Sequence, residues 1–204
     1  MNSEITVLVT GFGPFKNHEV NASWEAVKEL YKMKEDLHER HNVRLVIENI
    51  PVVYHHVLHR VPQLWKEHDP QIVVHVGVSH KAQCLTFEQK AHGFGYFRPD
   101  VNGECMTNEC REGSPAFLET GIDVKELCRK INEKNTGKES CKACISVDAG
   151  RYLCEYIYYQ SLCKNSERAL FVHVPDSHVY TSEVTAKGLC EIIELLVDSI
   201  KNCK

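Results

Sequence analysis

The run Gln71-Ile72-Val73-Val74-His75-Val76-Gly77-Val78 limits the possible folds more than any other stretch of the chain. It is almost unbroken in apolar residues, so a strand built from it needs cover on both faces, as in a parallel sheet flanked by helices. The rest of the sequence supplies such a setting. Residues 4–10 alternate around Ile5, Val7 and Val9, and 43–50, 143–147 and 169–174 are further short apolar runs that read as strands. Residues 84–88 form a possible short strand. Between these runs the period becomes helical. One helix is expected from the capping residues Asn21 and Ser23 to about Leu37, with Trp24, Val27, Leu30 and Tyr31 on one side. Others are expected over 57–65, 122–133, from Arg151 onward, and over 183–200. Alternating strand and helix predict an α/β fold, a three-layer α/β/α sandwich with a mostly parallel central sheet, as one domain over 1–204. In such sheets functional loops gather at the carboxyl ends of strands. The stretch 89–115, with four glycines and two prolines, shows no period and is expected to be irregular.

Composition excludes several classes of function. The formal net charge is -4, with no basic excess for nucleic acid or an anionic membrane. No apolar stretch reaches the ~20 residues of a membrane span, since Glu191, Glu194 and Asp198 interrupt the one near the C-terminus. The first residues lack the pattern of a secretory signal, so the expected location is cytoplasmic. There the ten cysteines are free thiols or metal ligands rather than disulfides.

One cysteine stands where a thiol becomes reactive. In Ser146-Val147-Asp148-Ala149-Gly150-Arg151-Tyr152-Leu153-Cys154 a strand ends, Ala149-Gly150 turns, and a helix begins, placing Cys154 in its first turn. The N–H groups and dipole of a helix start stabilise a thiolate. The alternative reading is a buried structural cysteine. A thiolate nucleophile needs a base and a group that orients the base. His173 ends the apolar run 169–174, and Glu88 closes 84–88; Asp100 and Asp148 compete for the orienting role. Gly11-Phe12-Gly13-Pro14-Phe15 lacks the third glycine of a dinucleotide fingerprint and the Gly-Lys-Ser/Thr of a phosphate loop. Two aromatics on a rigid turn suit a flat, uncharged ligand instead, or simply the core. Cys105, Cys110, Cys141 and Cys144 have spacings reminiscent of a structural zinc site, and His55 and His59 lie one helical turn apart without a zincin glutamate. Zinc remains a weaker alternative, and no cofactor is expected.

Several of these motifs together resemble the pyroglutamyl-peptidase I family of cysteine omega-peptidases, in its animal form. They are Thr10 to Phe15 with Val20 to Trp24, Ile50 to Val52, Val74 to Ser79, Asp148 to Cys154 and Phe171 to Pro175, in order along most of the chain. The resemblance implies hydrolysis of an N-terminal pyroglutamyl residue from small peptides through a thioester. It implies Cys154 as nucleophile, His173 as base and Glu88 as third member, with Asp100 the alternative acid. Phe12 and Phe15 would hold the lactam ring, a backbone group near Ser79 would read its amide, and Arg98 matches a basic position of bacterial forms. A monomer or small homo-oligomer is expected, with no nucleic-acid or membrane partner. Ser79-His80-Lys81, Gln89 and Asp176-Ser177 depart from the family pattern. A catalytically silent relative that binds such peptides, and a zinc-stabilised interaction domain, are the competing readings.

Overall fold

A computed structural model of the chain describes residues 3–15, 19–106, 115–137 and 140–202. In chain order the elements are β1 (Ile5–Phe12), α1 (Ala22–Tyr31), α2 (Lys34–His41), β2 (Val43–Ile50), α3 (Tyr54–His68), β3 (Ile72–Val78), β4 (Leu85–Glu88) and β5 (Lys90–His92), followed by β6 (Phe117–Glu119), α4 (Val124–Lys134), β7 (Ala143–Ser146), α5 (Leu153–Leu162), β8 (Ala169–Val174) and α6 (Ser182–Asn202). Six strands form one sheet in the order β2-β1-β3-β8-β4-β7, and β5 pairs with β6 in a small second sheet. The expected α/β class and mostly parallel sheet are observed.

One reversal of direction shapes the site. β1 to β2, β1 to β3, β3 to β8 and β4 to β7 are parallel, whereas β4 is antiparallel to β8. A parallel return needs a crossover of about a dozen residues or more. The link from β3 to β4 spans only 79–84, so β4 has to run back down the sheet, leaving a slot that β8 fills. Thr86 then lies opposite His173, and Glu88 opposite Phe171.

The strands are apolar on both faces, as the 71–78 run requires. Val7, Val9, Val74, Val76, Leu170 and Val172 pack with α1, α4 and α6 on one side. Leu8, Val73 and Phe171 pack with α3 and α5 on the other. The β3 run is buried from Ile72 through Gly77, and β8 is buried throughout. No helix among the described residues is long and apolar enough to cross a membrane.

Four local expectations change. The single helix over 21–37 is two, because the last turn of α1 tightens through Lys32 N to Glu29 O and Met33 N to Leu30 O before α2 begins. Helix α3 starts at Tyr54 rather than 57, since its first N–H is met by the Asp100 carboxylate, 46 residues away in sequence. Helix α5 starts at Leu153 rather than Arg151, and it is buried on every side except at Cys154. Part of the stretch expected to be irregular is ordered as β5, whose partner β6 lies just beyond it.

Candidate active site

A cleft of about 580 Å³ opens over the ends of β1 and β3 and the turn before α5. Its walls include Phe12, Phe15, Ser79, Glu88, Cys154 and His173, so the residues expected to form the triad and the lactam pocket converge there, whereas Asp100 does not line it.

Cys154 is the second residue of α5. The turn leading to it has Gly150 at φ 94° and Arg151 at φ 48°, the left-handed region where a side chain is disfavoured. Arg151 is held there by the fully buried Glu155, which accepts from the Arg151 backbone N at 2.9 Å and from its guanidinium at 2.9 Å. Asp148 adds to the clamp through the Gly150 N–H at 3.1 Å and the Arg151 guanidinium at 3.0 Å. Tyr152 caps α5 with extended backbone and no capping hydrogen bond from its side chain, whose hydroxyl donates instead to Pro99 O at 3.2 Å. The N–H groups of the first helical turn have no acceptor within the helix. Beside them lies the Cys154 thiol, and β3 is shaped to receive it. A Cβ on Gly77 would meet the Cys154 sulfur and the Phe171 ring, each at 2.7 Å. An isolated glycine inside a strand is the signal for such a close approach, and it is legible in the 71–78 run.

Gly77 is paired with His173 across β3 and β8. The His173 Nδ1 stands 2.7 Å from Glu88 Oε1, with the histidine 8% and the glutamate 2% exposed. The Phe171 ring packs edge-on against the imidazole, with centroids 4.8 Å apart. Burial by itself lowers the imidazole pKa, but hydrogen bonds to Cys154 and then to Glu88, with the charges of both, outweigh it and hold His173 up to about 10. The second oxygen of Glu88 is buried with no hydrogen-bond partner among the described residues. The hydrogen bonding of the Glu88 carboxylate among the described residues is thus directed at one imidazole. Its main chain is fixed separately, by a bond from the Tyr158 hydroxyl on α5 to the Glu88 carbonyl at 2.9 Å. Tyr158 and Glu155 are not singled out in the sequence; neither belongs to the apolar set Leu153, Tyr156, Ile157 and Leu162 that marks one face of the expected helix.

Asp100 is occupied elsewhere. Its oxygens accept from three backbone N–H groups, Tyr54 at 3.0 Å, Asn102 at 2.8 Å and Glu104 at 3.0 Å. It caps α3 and closes the 100–104 turn. Asp148, the other competing carboxylate, is bound to Arg151.

The aromatic turn is locked to the start of α1. Phe12 N donates to Ser23 Oγ at 3.1 Å, Asn21 Nδ2 donates to Gly13 O at 3.0 Å, and Gly13 N donates to Ile50 O at 2.9 Å. Phe12 is buried and Phe15 half-buried at the cleft. Ser79 lines the cleft, but its backbone is engaged: its N–H goes to Val174 O at 2.9 Å, and its carbonyl accepts from Ala82 at 3.0 Å. The Ser79 N–H is thus already used within the fold, while its carbonyl keeps a second lone pair. Arg98 lies at the cleft wall with its guanidinium 4.1 Å from the centre of the Tyr152 ring.

The zinc reading finds no geometry among the described residues, where no group of three or more His, Cys, Asp or Glu is placed to hold a metal. Cys141 is buried against Val184 O, Cys105 is exposed near Phe97 O, and Cys110 lies outside the described residues. His55 and His59 stack 6.4 Å apart on α3.

Comparison with known proteins places this geometry in a context. The family described as Pyroglutamyl peptidase matches residues 5–192. The chain is 40% identical to human Pyroglutamyl-peptidase 1 over 197 residues, covering 96% of this chain and 91% of the relative. It is 31% identical to Pyrrolidone-carboxylate peptidase of Bacillus amyloliquefaciens over 193 residues, covering 91% and 85%. The crystal structure of Bacillus amyloliquefaciens Pyroglutamyl Peptidase I superposes with a TM-score of 0.83 at 25% identity, over 96% of this chain and 98% of that one.

Proposed function

The chain belongs to the pyroglutamyl peptidase family of cysteine peptidases, and on that footing we propose that it removes N-terminal pyroglutamyl residues from peptides through a Cys154-His173-Glu88 triad. The observation that carries the triad is the buried His173–Glu88 contact of 2.7 Å beside a sulfur that fits only because residue 77 is glycine.

The chemistry follows from the charges. His173, held protonated well above neutral pH, is paired with the thiolate of Cys154, which attacks the pyroglutamyl carbonyl carbon. The oxygen becomes an oxyanion within reach of the uncapped N–H groups that begin α5, an effect commonly worth ~10²-fold or more. Collapse breaks the C–N bond as His173 gives its proton to the leaving amine, which leaves a thioester on Cys154. His173, now neutral, takes a proton from water, and the hydroxide releases pyroglutamate and restores the thiolate. Glu88 holds the ring and balances its charge throughout. Pyroglutamate carries no ammonium, so its flat neutral lactam suits the space between Phe12 and Phe15, where no carboxylate is needed to receive a cation.

Release of aminomethylcoumarin from its pyroglutamyl amide tests the proposal. Cys154→Ala and His173→Ala should each abolish turnover, and a thiol alkylator should do the same to the unsubstituted protein. Normal turnover by Cys154→Ala would remove the nucleophile from the scheme. The prolyl analogue, a similar ring without the lactam carbonyl, should be a poor substrate; equal rates on the two would refute the lactam pocket. Asp100→Asn should lower turnover far less than Glu88→Gln, and the reverse order would transfer the third role to Asp100.

A further inference from the structure

Beside the cleft, the edge of the sheet carries a pair of thiols. Cys84 immediately precedes β4, and Cys144 is the second residue of β7, the strand at the end of the sheet. Leu85 is aligned with Ala143 and Thr86 with Cys144. Alternation along the strands therefore puts the Cys84 and Cys144 side chains on one face, diagonally across the pair. Their sulfurs are 3.2 Å apart. Cys144 is exposed and Cys84 half-buried, so one thiol meets solvent while the other waits behind it. The Thr86 hydroxyl, 3.4 Å from the Cys144 sulfur, belongs to a residue of the cleft wall. Neither cysteine takes part in the chemistry proposed above.

We propose that Cys84 and Cys144 form a reversible disulfide when the protein meets a hydroperoxide. The exposed Cys144, as thiolate, attacks the O–O bond; its sulfur is oxidised to sulfenic acid, and the peroxide leaves as alcohol or water after protonation. Cys84 sulfur then attacks the Cys144 sulfur, the S–O bond breaks, and the Cys84 proton departs with the hydroxide as water. Two thiols and one hydrogen peroxide thus give one disulfide and two waters. Burial, then the hydrogen bond to Cys144, pushes the Cys84 thiol up to about 12, which leaves the exposed partner to react first. Proximity compensates for the weak nucleophile in the second step, because the sulfurs need to close by only about 1 Å to reach bonding distance. They lie at a bend before β4 and on an edge strand, where the backbone has room to follow. The product fastens β7 to the strand that carries Glu88.

The sequence makes the test clean. Trypsin isolates Cys84 in 82–90, Cys144 in 143–151 and Cys128, the neighbouring competitor, in 126–129, each as the single cysteine of its peptide. The whole protein would be treated with hydrogen peroxide, blocked with iodoacetamide and digested without reductant. The expected species is 82–90 joined to 143–151, lighter than their sum by two hydrogens. It should be lost on reduction and absent in Cys84→Ser. Oxidation should also raise the Tm of the unsubstituted protein by roughly 5 °C or more, and that of Cys84→Ser by much less. Recovery of both peptides as iodoacetamide adducts would overturn the proposal. So would Cys144 as sulfinic acid beside an alkylated Cys84, or 143–151 joined to 126–129.

Discussion

Two buried histidines face the same side of the sheet from adjacent strands, and they are held in opposite states of charge. His75 lies in the middle of β3, between the Thr10 and Ser161 hydroxyls, each 2.7 Å from a ring nitrogen. Burial pushes it down to about 3. His173, at the end of β8, is held up to about 10 although burial acts on it in the same direction. Exposure does not separate them, at 1% and 8%. What differs is the partner. Neutral hydroxyls satisfy the His75 ring without favouring its cation, whereas the hydrogen bonds and negative charges of Cys154 and Glu88 make the cation the stable form of His173. A histidine inside an apolar strand becomes a proton-handling group only where the fold brings charge to it.

The sharpest way to break this contrast is to take the charge away. Glu88→Gln keeps a hydrogen-bonding side chain but removes the negative charge, so burial of His173 is opposed less. Turnover should fall by ~10²- to 10⁴-fold, and the basic limb of the pH–rate profile should move to lower pH. An unmoved limb would mean that Glu88 does not hold the imidazolium. In stability terms the sign is fixed by the raised pKa: the His173 contribution is fully present below its unfolded value of ~6.5 and is lost as pH rises through about 10.

At the neutral histidine the sign reverses. Unfolded His75 binds a proton below pH ~6.5 that the folded protein refuses until about 3, so its contribution is lost as pH falls through that window. The loss amounts to ~2 kcal/mol by pH 5. Urea unfolding of His75→Gln at pH 7 and pH 5 should show a smaller decrease between the two than the unsubstituted protein does. An equal decrease would show that His75 is not the group responsible. Turnover at neutral pH should stay within a factor of ~2, because the proposed chemistry does not use this ring. The smallest effect on turnover is expected from Ser161→Ala. Ser161 also accepts from the Trp65 indole at 3.0 Å, so removing its hydroxyl should cost ~1–3 kcal/mol of stability and leave the pH–rate profile in place. A shifted profile would join the two histidines into one network.

Much of this arrangement was legible before any coordinates, and what was not has identifiable causes. Apolar runs reveal strands that are buried on both faces, so β2, β3 and β8 were found almost to the residue. The helix start at Cys154 and the strand end at His173 were local patterns. The choice between Glu88 and Asp100 was not local. It depends on β4 running antiparallel to β8, which aims Glu88 at the imidazole, and on α3 beginning where Asp100 meets its first N–H. The break between α1 and α2 has no glycine or proline to announce it. Glu155 read as one charge on an ordinary helix, because the left-handed turn it clamps is visible only in three dimensions.

The place of β8 in the sheet has a consequence for the order in which the protein comes into being. It is the last strand in the sequence, yet it lies inside the sheet, between β3 and β4. During synthesis β3 and β4 emerge long before the strand that joins them, and each keeps an open hydrogen-bonding edge meanwhile. The proposed nucleophile on α5 is also made before its base. A nascent chain that ends short of residue 169 therefore carries the thiol and the acid but nothing to link them. The insertion of one short strand completes the sheet and the proposed triad in the same event.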